Sequence, residues 1–173
     1  MLISKEWLSD YIETELSDES LSEILTSTGL EVEKIQHLDQ IKGGLKGVFI
    51  GEIISLSKHP NADRLFCTKI NVGTDDPLNI VCGASNIAVG QKVPVATIGC
   101  TIYPESLEKG IKIKKGKIRG ESSEGMLCAE DELGIGKSHE GIYILDVGAV
   151  SGTPLAEYLG LKSDSVFEIG LTP

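Results

Sequence analysis

Six of the 16 basic residues of this 173-residue chain fall in one stretch, Lys109-Gly110-Ile111-Lys112-Ile113-Lys114-Lys115-Gly116-Lys117-Ile118-Arg119. A row of ammonium groups is chemistry for a polyanion. Each lysine meets a phosphate as a point charge, and each neutralised phosphate releases counterions. Ile111 and Ile113 alternate with Lys112 and Lys114, so a strand here is expected to bury one face and present a cationic one. The same pattern also describes a solvated edge strand guarded by lysines.

Three further clusters carry polar or small residues. Lys58-His59-Pro60-Asn61-Ala62-Asp63-Arg64-Leu65 reads as a turn: Pro60 fixes φ, and Asn61 and Asp63 can bond back to local backbone. His59 has no positioned partner in sequence that would make it a general base, whereas Arg64 could clamp a carboxylate or a phosphate. In Val81-Cys82-Gly83-Ala84-Ser85-Asn86, Gly83 and Ala84 allow another chain or a nucleotide to come close. Cys82 lacks an adjoining histidine or lysine and reads as a packed thiol. In Arg119-Gly120-Glu121-Ser122-Ser123-Glu124-Gly125-Met126-Leu127-Cys128, Ser123 is not in a G-x-S-x-G elbow. Met126 is either a core gap-filler or a surface for an exposed base.

Two other chemistries fail. Gly134-Ile135-Gly136-Lys137-Ser138 suggests a phosphate loop, but the first glycine of that motif falls on Asp131, a carboxylate where phosphate would have to sit. Cys67, Cys82, Cys100 and Cys128 lie 15, 18 and 28 residues apart, without the close pairs of a structural zinc site. No acid–base pair, activated nucleophile or metal set is evident, so no catalytic residue, no metal and no cofactor are expected in this chain.

The elements that must position these residues are legible by pattern. Ser4 can cap a helix Lys5–Glu15 with Trp7, Leu8, Tyr11 and Ile12 as its apolar stripe. Ser17 can cap a second helix with Leu21, Ile24 and Leu25 buried and Gly29 as its stop. Leu30–Glu33 alternates as a strand, and Lys42-Gly43-Gly44 reads as a linker. Val48–Leu56, Arg64–Val72, Leu78–Cys82, Val93–Ile98, Ile111–Ile118 and Ile142–Val147 are short β-branched runs separated by turn residues. Glu130–Leu133 fits one helical turn, Thr153-Pro154 starts a short helix closed by Gly160, and Val166–Ile169 ends in a strand. The expected architecture is α+β: an OB-type antiparallel β-barrel inserted in a small discontinuous helix–strand domain. Residues 1–38 form its first part, 39–150 the barrel, and 151–173 a return segment.

The formal net charge is −10, but it is unevenly spread. Residues 1–38 carry −7, residues 39–150 only −1, and residues 151–173 carry −2. A local positive face is therefore compatible with an acidic protein, because the local field decides where a polyanion docks. No apolar run approaches the ~20 residues needed to cross a bilayer, and the N-terminus lacks a secretory pattern. A cytoplasmic location without membrane contact is expected.

The order of the motifs is similar to a known family. H-P-x-A-D-x-L at His59–Leu65, C-G-A-x-N at Cys82–Asn86, Arg119-Gly120 and S-x-G-M at Ser123–Met126 resemble the tRNA-binding OB domain shared by several tRNA-associated proteins. The flanks, Ile3–Leu8 (I-S-x-x-W-L), Thr28–Glu33 and Leu171-Thr172-Pro173, resemble the bacterial phenylalanyl-tRNA synthetase beta chain. That resemblance implies an accessory, non-catalytic tRNA-binding segment of an aminoacyl-tRNA ligase used in protein biosynthesis. The whole enzyme would pair with an alpha subunit as α2β2 and attach phenylalanine to its tRNA with ATP and magnesium. It implies tRNA rather than DNA as partner. Ser123 and Met126, with Asn86 near the same face, are the RNA-binding residues the resemblance implies. Charge adds Lys112, Lys114, Lys115, Lys117 and Arg119. Aromatic residues make up 5% of the chain, so backbone and shape contacts are expected rather than stacking readout. The competing reading is an assembly module of the same subunit that rarely touches RNA.

Overall fold

A computed structural model describes residues 1–104, 107 and 109–170. The terminal Leu171-Thr172-Pro173 motif lies outside the described residues. The chain separates into two compact units: Met1–Gln40 together with the segment beginning at Lys162, and Ile41–Leu161 between them. In chain order it begins with β1 (Leu2–Ser4), α1 (Lys5–Ser9), α2 (Asp18–Ser27) and β2 (Val32–Asp39). Five strands follow: β3 (Val48–His59), β4 (Ala62–Asn71), β5 (Leu78–Cys82), β6 (Lys92–Thr97) and β7 (Thr101–Ile102). Next come the short strands β8 (Ile111–Lys112), β9 (Gly116–Ile118), β10 (Glu121–Ser123) and β11 (Gly125–Leu127). The chain ends with α3 (Glu130–Leu133), α4 (Leu155–Tyr158) and β12 (Ser163–Ile169).

In the first unit β12 lies between β1 and β2, antiparallel to both. The two ends of the described chain thus share one sheet, whose buried residues Phe167 and Ile169 pack with Leu21 of α2. Both predicted caps form: the Ser4 hydroxyl accepts from Trp7 N and the Ser17 hydroxyl from Ser20 N. Asp18 ties the unit together through Lys5 at 2.6 Å and the Ser165 hydroxyl. The Lys5 hydrogen bond holds the Asp18 carboxyl below its usual range.

The expected helix Lys5–Glu15 stops at Ser9. Glu13 and Glu15 would have stood at its C-terminal end, where the helix dipole disfavours anions. Its expected apolar stripe is consequently not buried. Leu8 packs on the core, while Trp7, Tyr11 and Ile12 are exposed, the two rings meeting edge to face at 5.3 Å. Ile24 is also exposed, leaving Leu21 and part of Leu25 as the buried face of α2.

The second unit is a five-stranded antiparallel sheet of order β11-β6-β3-β4-β5 that curls into a nearly closed barrel. The long strand β3 is shared: Val48–Glu52 pairs with β6, and Glu52–His59 pairs with β4. Gly51 stands at the changeover. A Cβ there would lie 2.5 Å from the side chains of both Ile70 and Val95, so the bend requires glycine. β5 meets the corner between β10 and β11, where Glu124 N donates to Asn79 O at 2.8 Å and Val81 N donates to the Ser123 hydroxyl at 3.2 Å.

Alternation along β3 and β6 assigns two apolar layers. Ile53, Val93 and Val95 pack with Ile70, Ile80, Leu127 and Ile142 in one. Val48, Ile50 and Ala96 face the other, with Leu45, Ile113, Leu133, Leu145 and Leu155. Burying each large aliphatic side chain contributes about 1.5–3 kcal/mol, so both faces of the central strands stabilise the unit. Cys82, Cys100 and Cys128 are buried in these layers, and burial pushes each thiol up.

Four expectations change. Ile111–Ile118 is not one strand: β8 pairs with β7, β9 pairs with β10, and residues 113–115 belong to neither. Only Ile113 of that stretch is buried, because its backbone is tied to Gly99 and Cys100 on either side. Ile142–Val147 forms no strand, only a bridge from Leu145 to Lys92. The expected return segment 151–173 begins instead at Lys162, since Leu155 of α4 is fully buried with Val48 and Ile50 in the barrel unit. Lys42-Gly43-Gly44 is packed rather than loose; a Cβ on Gly43 would meet the Tyr103 ring at 2.5 Å. No described helix is long and apolar enough to cross a membrane.

Candidate nucleic-acid interface

A cleft of about 760 Å³ opens on the barrel unit. Three stretches of chain supply most of its lining. Residues 81–85 span the end of β5. Residues 112–118 bring Lys112, Lys114 and Lys117, together with Ile113 and Ile118. Residues 123–142 bring Ser123, Met126, Leu127, Glu132, His139, Glu140 and Ile142.

The basic segment is held by the H-P-x-A-D turn. His59 is buried, and both ring nitrogens are occupied. Nδ1 accepts from Asn61 N at 3.0 Å, so Nε2 carries the proton and donates to Ile118 O at 2.9 Å. Asn61 Nδ2 donates to Arg119 O at 3.2 Å. Arg119 itself adopts φ +49° and Gly120 φ +105°, the left-handed pair that reverses the chain from β9 into β10. His59, expected to be part of a structural turn, is therefore a clamp joining the β3–β4 turn to the basic hairpin.

The S-x-G-M motif closes the barrel. The Ser123 hydroxyl accepts from Val81 N and donates to Gly125 O at 3.1 Å. Gly125 passes so close to β6 that a Cβ would sit 2.8 Å from Ala96 O and 3.1 Å from the Ile80 side chain. Glu124 accepts from Asn79 N and Nδ2, both at 3.2 Å, and from Lys115 at 2.8 Å. With the Lys115 ammonium as the largest cause, the Glu124 carboxyl drops to about 2.

The eight expected RNA-binding residues divide. Lys112, Lys114, Lys117, Ser123 and Met126 line one cleft. Lys115 is neutralised by Glu124, so it does not add to a free cationic face. Arg119 is exposed at the hairpin turn and is not part of the cleft lining. Asn86 is spent on structure: its Nδ2 donates to Ile142 O at 2.9 Å and its Oδ1 accepts from Ile142 N at 3.1 Å. Ser123 is buried with its hydroxyl doubly engaged, leaving Met126 as the motif residue with a side chain to offer.

Sequence reasoning missed Glu132, His139 and Glu140. Ala129 N donates to Glu132 Oε2 at 2.7 Å, which fixes that carboxylate. His139 Nδ1 lies 3.0 Å from Asp131 Oδ1, and this hydrogen bond raises the His139 pKa. Nothing in the linear pattern signalled that residues 132–140 share a cleft with residues 112–118. Among the described residues no group of three or more His, Cys, Asp or Glu is placed to hold a metal ion.

A family model described as "Putative tRNA binding domain" matches residues 48–154. Across all 173 residues the chain is 47% identical to the "Phenylalanine--tRNA ligase beta subunit" of Bacteroides fragilis and 46% identical to that of Porphyromonas gingivalis, covering 21% of each. It is 45% identical to that of Geobacter metallireducens, covering 20%. The chain thus spans about a fifth of the length of these relatives. Among solved structures, the C-terminal domain of Plasmodium vivax p43 aligns over 61% of this chain and 56% of its own at 25% identity. Its TM-score of 0.40 is too low to add to the assignment. With a barrel closed at Ser123–Gly125 and a family match spanning it, the chain belongs to the tRNA-binding domain family.

Proposed function

We propose that the chain is the non-catalytic tRNA-binding part of a phenylalanine–tRNA ligase beta subunit. The observation that carries this reading is the convergence of Lys112, Lys114 and Lys117 on one cleft of a tRNA-binding-family barrel. Among the described residues none of the three forms an ion pair, unlike Lys115. Their charge is left for phosphates, and it acts locally on a chain of net charge −10.

The attachment of phenylalanine to tRNA, the alpha subunit of an α2β2 assembly and the cytoplasmic setting belong, in this reading, to the full-length enzyme. So do ATP and magnesium. The described residues fit neither a metal ion nor a phosphate loop, so no chemical step is assigned to this chain. It would hold tRNA while the reaction proceeds elsewhere in the enzyme.

A salt-series titration with tRNA tests the proposal. Affinity should fall steeply as salt rises. Changing Lys112, Lys114 and Lys117 together to Glu should flatten the log–log slope by about two to three, roughly one per lost phosphate contact. Folded chain that retains no tRNA at low salt would instead favour the assembly-module reading, which the near-neutral charge of residues 39–150 supports.

A further inference from the structure

The cleft holds more than a phosphate track requires. Phosphates need only the three lysines, yet the lining also includes Ile113, Ile118, Met126, Leu127 and Ile142. Its volume of about 760 Å³ lies in the range of pockets that enclose a small organic group. Among the described residues no Phe, Tyr or Trp lines it. A flat group entering it would lie against aliphatic side chains and the Met126 thioether, whose soft sulfur packs favourably on π systems.

The polar part of the lining is selective. Glu132 gives one oxygen to Ala129 N at 2.7 Å, which leaves its other oxygen to accept from a ligand. Among the described residues neither Glu132 nor Glu140 is in an ion pair, although Lys112, Lys114 and Lys117 line the same cleft. Anion-binding and amine-binding groups thus remain separately available.

We propose that the cleft seats one unstacked, amino-bearing nucleobase of an RNA single strand. Flanking phosphates would lie on Lys112, Lys114 and Lys117, Met126 would lie on the base face, and the exocyclic amine would donate to Glu132. A carboxylate accepts from the cytosine N4 amine but faces the uracil O4 acceptor with like polarity. The inference rests on the tRNA-binding reading and adds a base preference to it.

The chain has two methionines, Met1 and Met126, so methyl-labelled methionine gives a direct probe. Tricytidylate should move the Met126 methyl resonance at about tenfold lower concentration than triuridylate. Glu132→Gln keeps an oxygen for Ala129 N but replaces the free acceptor with a donor, so it should abolish or invert that preference. Equal titration by the two trinucleotides overturns the inference without any variant. So does an unmoved Met126 methyl in a chain that binds tRNA, and in both cases the tRNA-binding reading stands. A folded chain that binds neither trinucleotides nor tRNA at low salt removes the reading and the inference together.

Discussion

The motif residues and the basic segment of the barrel unit are put to opposite uses. His59, Asn61, Asn86 and Ser123 each make a side-chain hydrogen bond to the backbone of a distant segment, and His59 and Ser123 add a second, local one. Lys112, Lys114 and Lys117 belong to no sequence motif, yet they line the cleft without an ion pair among the described residues. The motifs build the barrel and clamp its basic hairpin; the lysines are what the clamp presents. A buried polar group left unpaired is costly, so the residues that pin loops together tolerate the least change of type. A lysine over a phosphate works as a point charge and depends on local position more than on identity.

The largest effect separates these two uses by stability. His59→Ala removes both the Ile118 and the Asn61 contacts and should destabilise the chain by about 2–3 kcal/mol in urea unfolding. Lys114→Glu should leave stability within about 0.5 kcal/mol while weakening tRNA binding. Equal losses of stability from both changes would erase the distinction.

A finer test lies within the lysines. Lys114→Ala should reduce tRNA affinity more than Lys115→Ala, because Lys115 already answers Glu124. Lys115→Ala should register at its partner instead. A carboxyl-detected NMR titration should find Glu124 at about 2 in the parent chain and well above that in the variant. Glu124 is a group whose folded pKa is depressed. The stability it contributes is therefore present above its ordinary value of 4.5 and is lost as pH falls toward about 2.

The smallest effect concerns His139. Its pKa is raised, first by the Asp131 hydrogen bond and then by the Asp131 charge. A group raised in the folded state contributes fully below its ordinary value of 6.5 and loses that contribution as pH rises through the folded pKa. The imidazole proton resonances should titrate above 6.5, and Asp131→Asn should lower the midpoint. An unchanged midpoint would disconnect this pair from the cleft's charge balance.

Much of the architecture is legible in the sequence. The β-branched runs that became β3, β4, β5 and β6 were recognisable, as were the caps at Ser4 and Ser17 and the turn at Glu130–Leu133. Each depends on local alternation, hydrogen-bonding reach or dihedral preference. The misreadings share a different cause. Ile111–Ile118 has the alternation of one strand, but its two ends pair with different partners. Trp7–Ile12 has helical spacing, but the helix ends at Ser9 before its stripe can bury.

The amino-acid sequence by itself determined most of the element types, the family and the presence of a cationic stretch, because these follow from neighbours along the chain. Tertiary structure alone decided which cations remain available. Lys115 and Lys114 are adjacent and chemically identical, but only folding puts Glu124 2.8 Å from one and leaves the other lining the cleft. Folding also carries Glu132, His139 and Glu140 to the same cleft. Charge compensation falls steeply with distance in space, and separation along the chain does not report that distance.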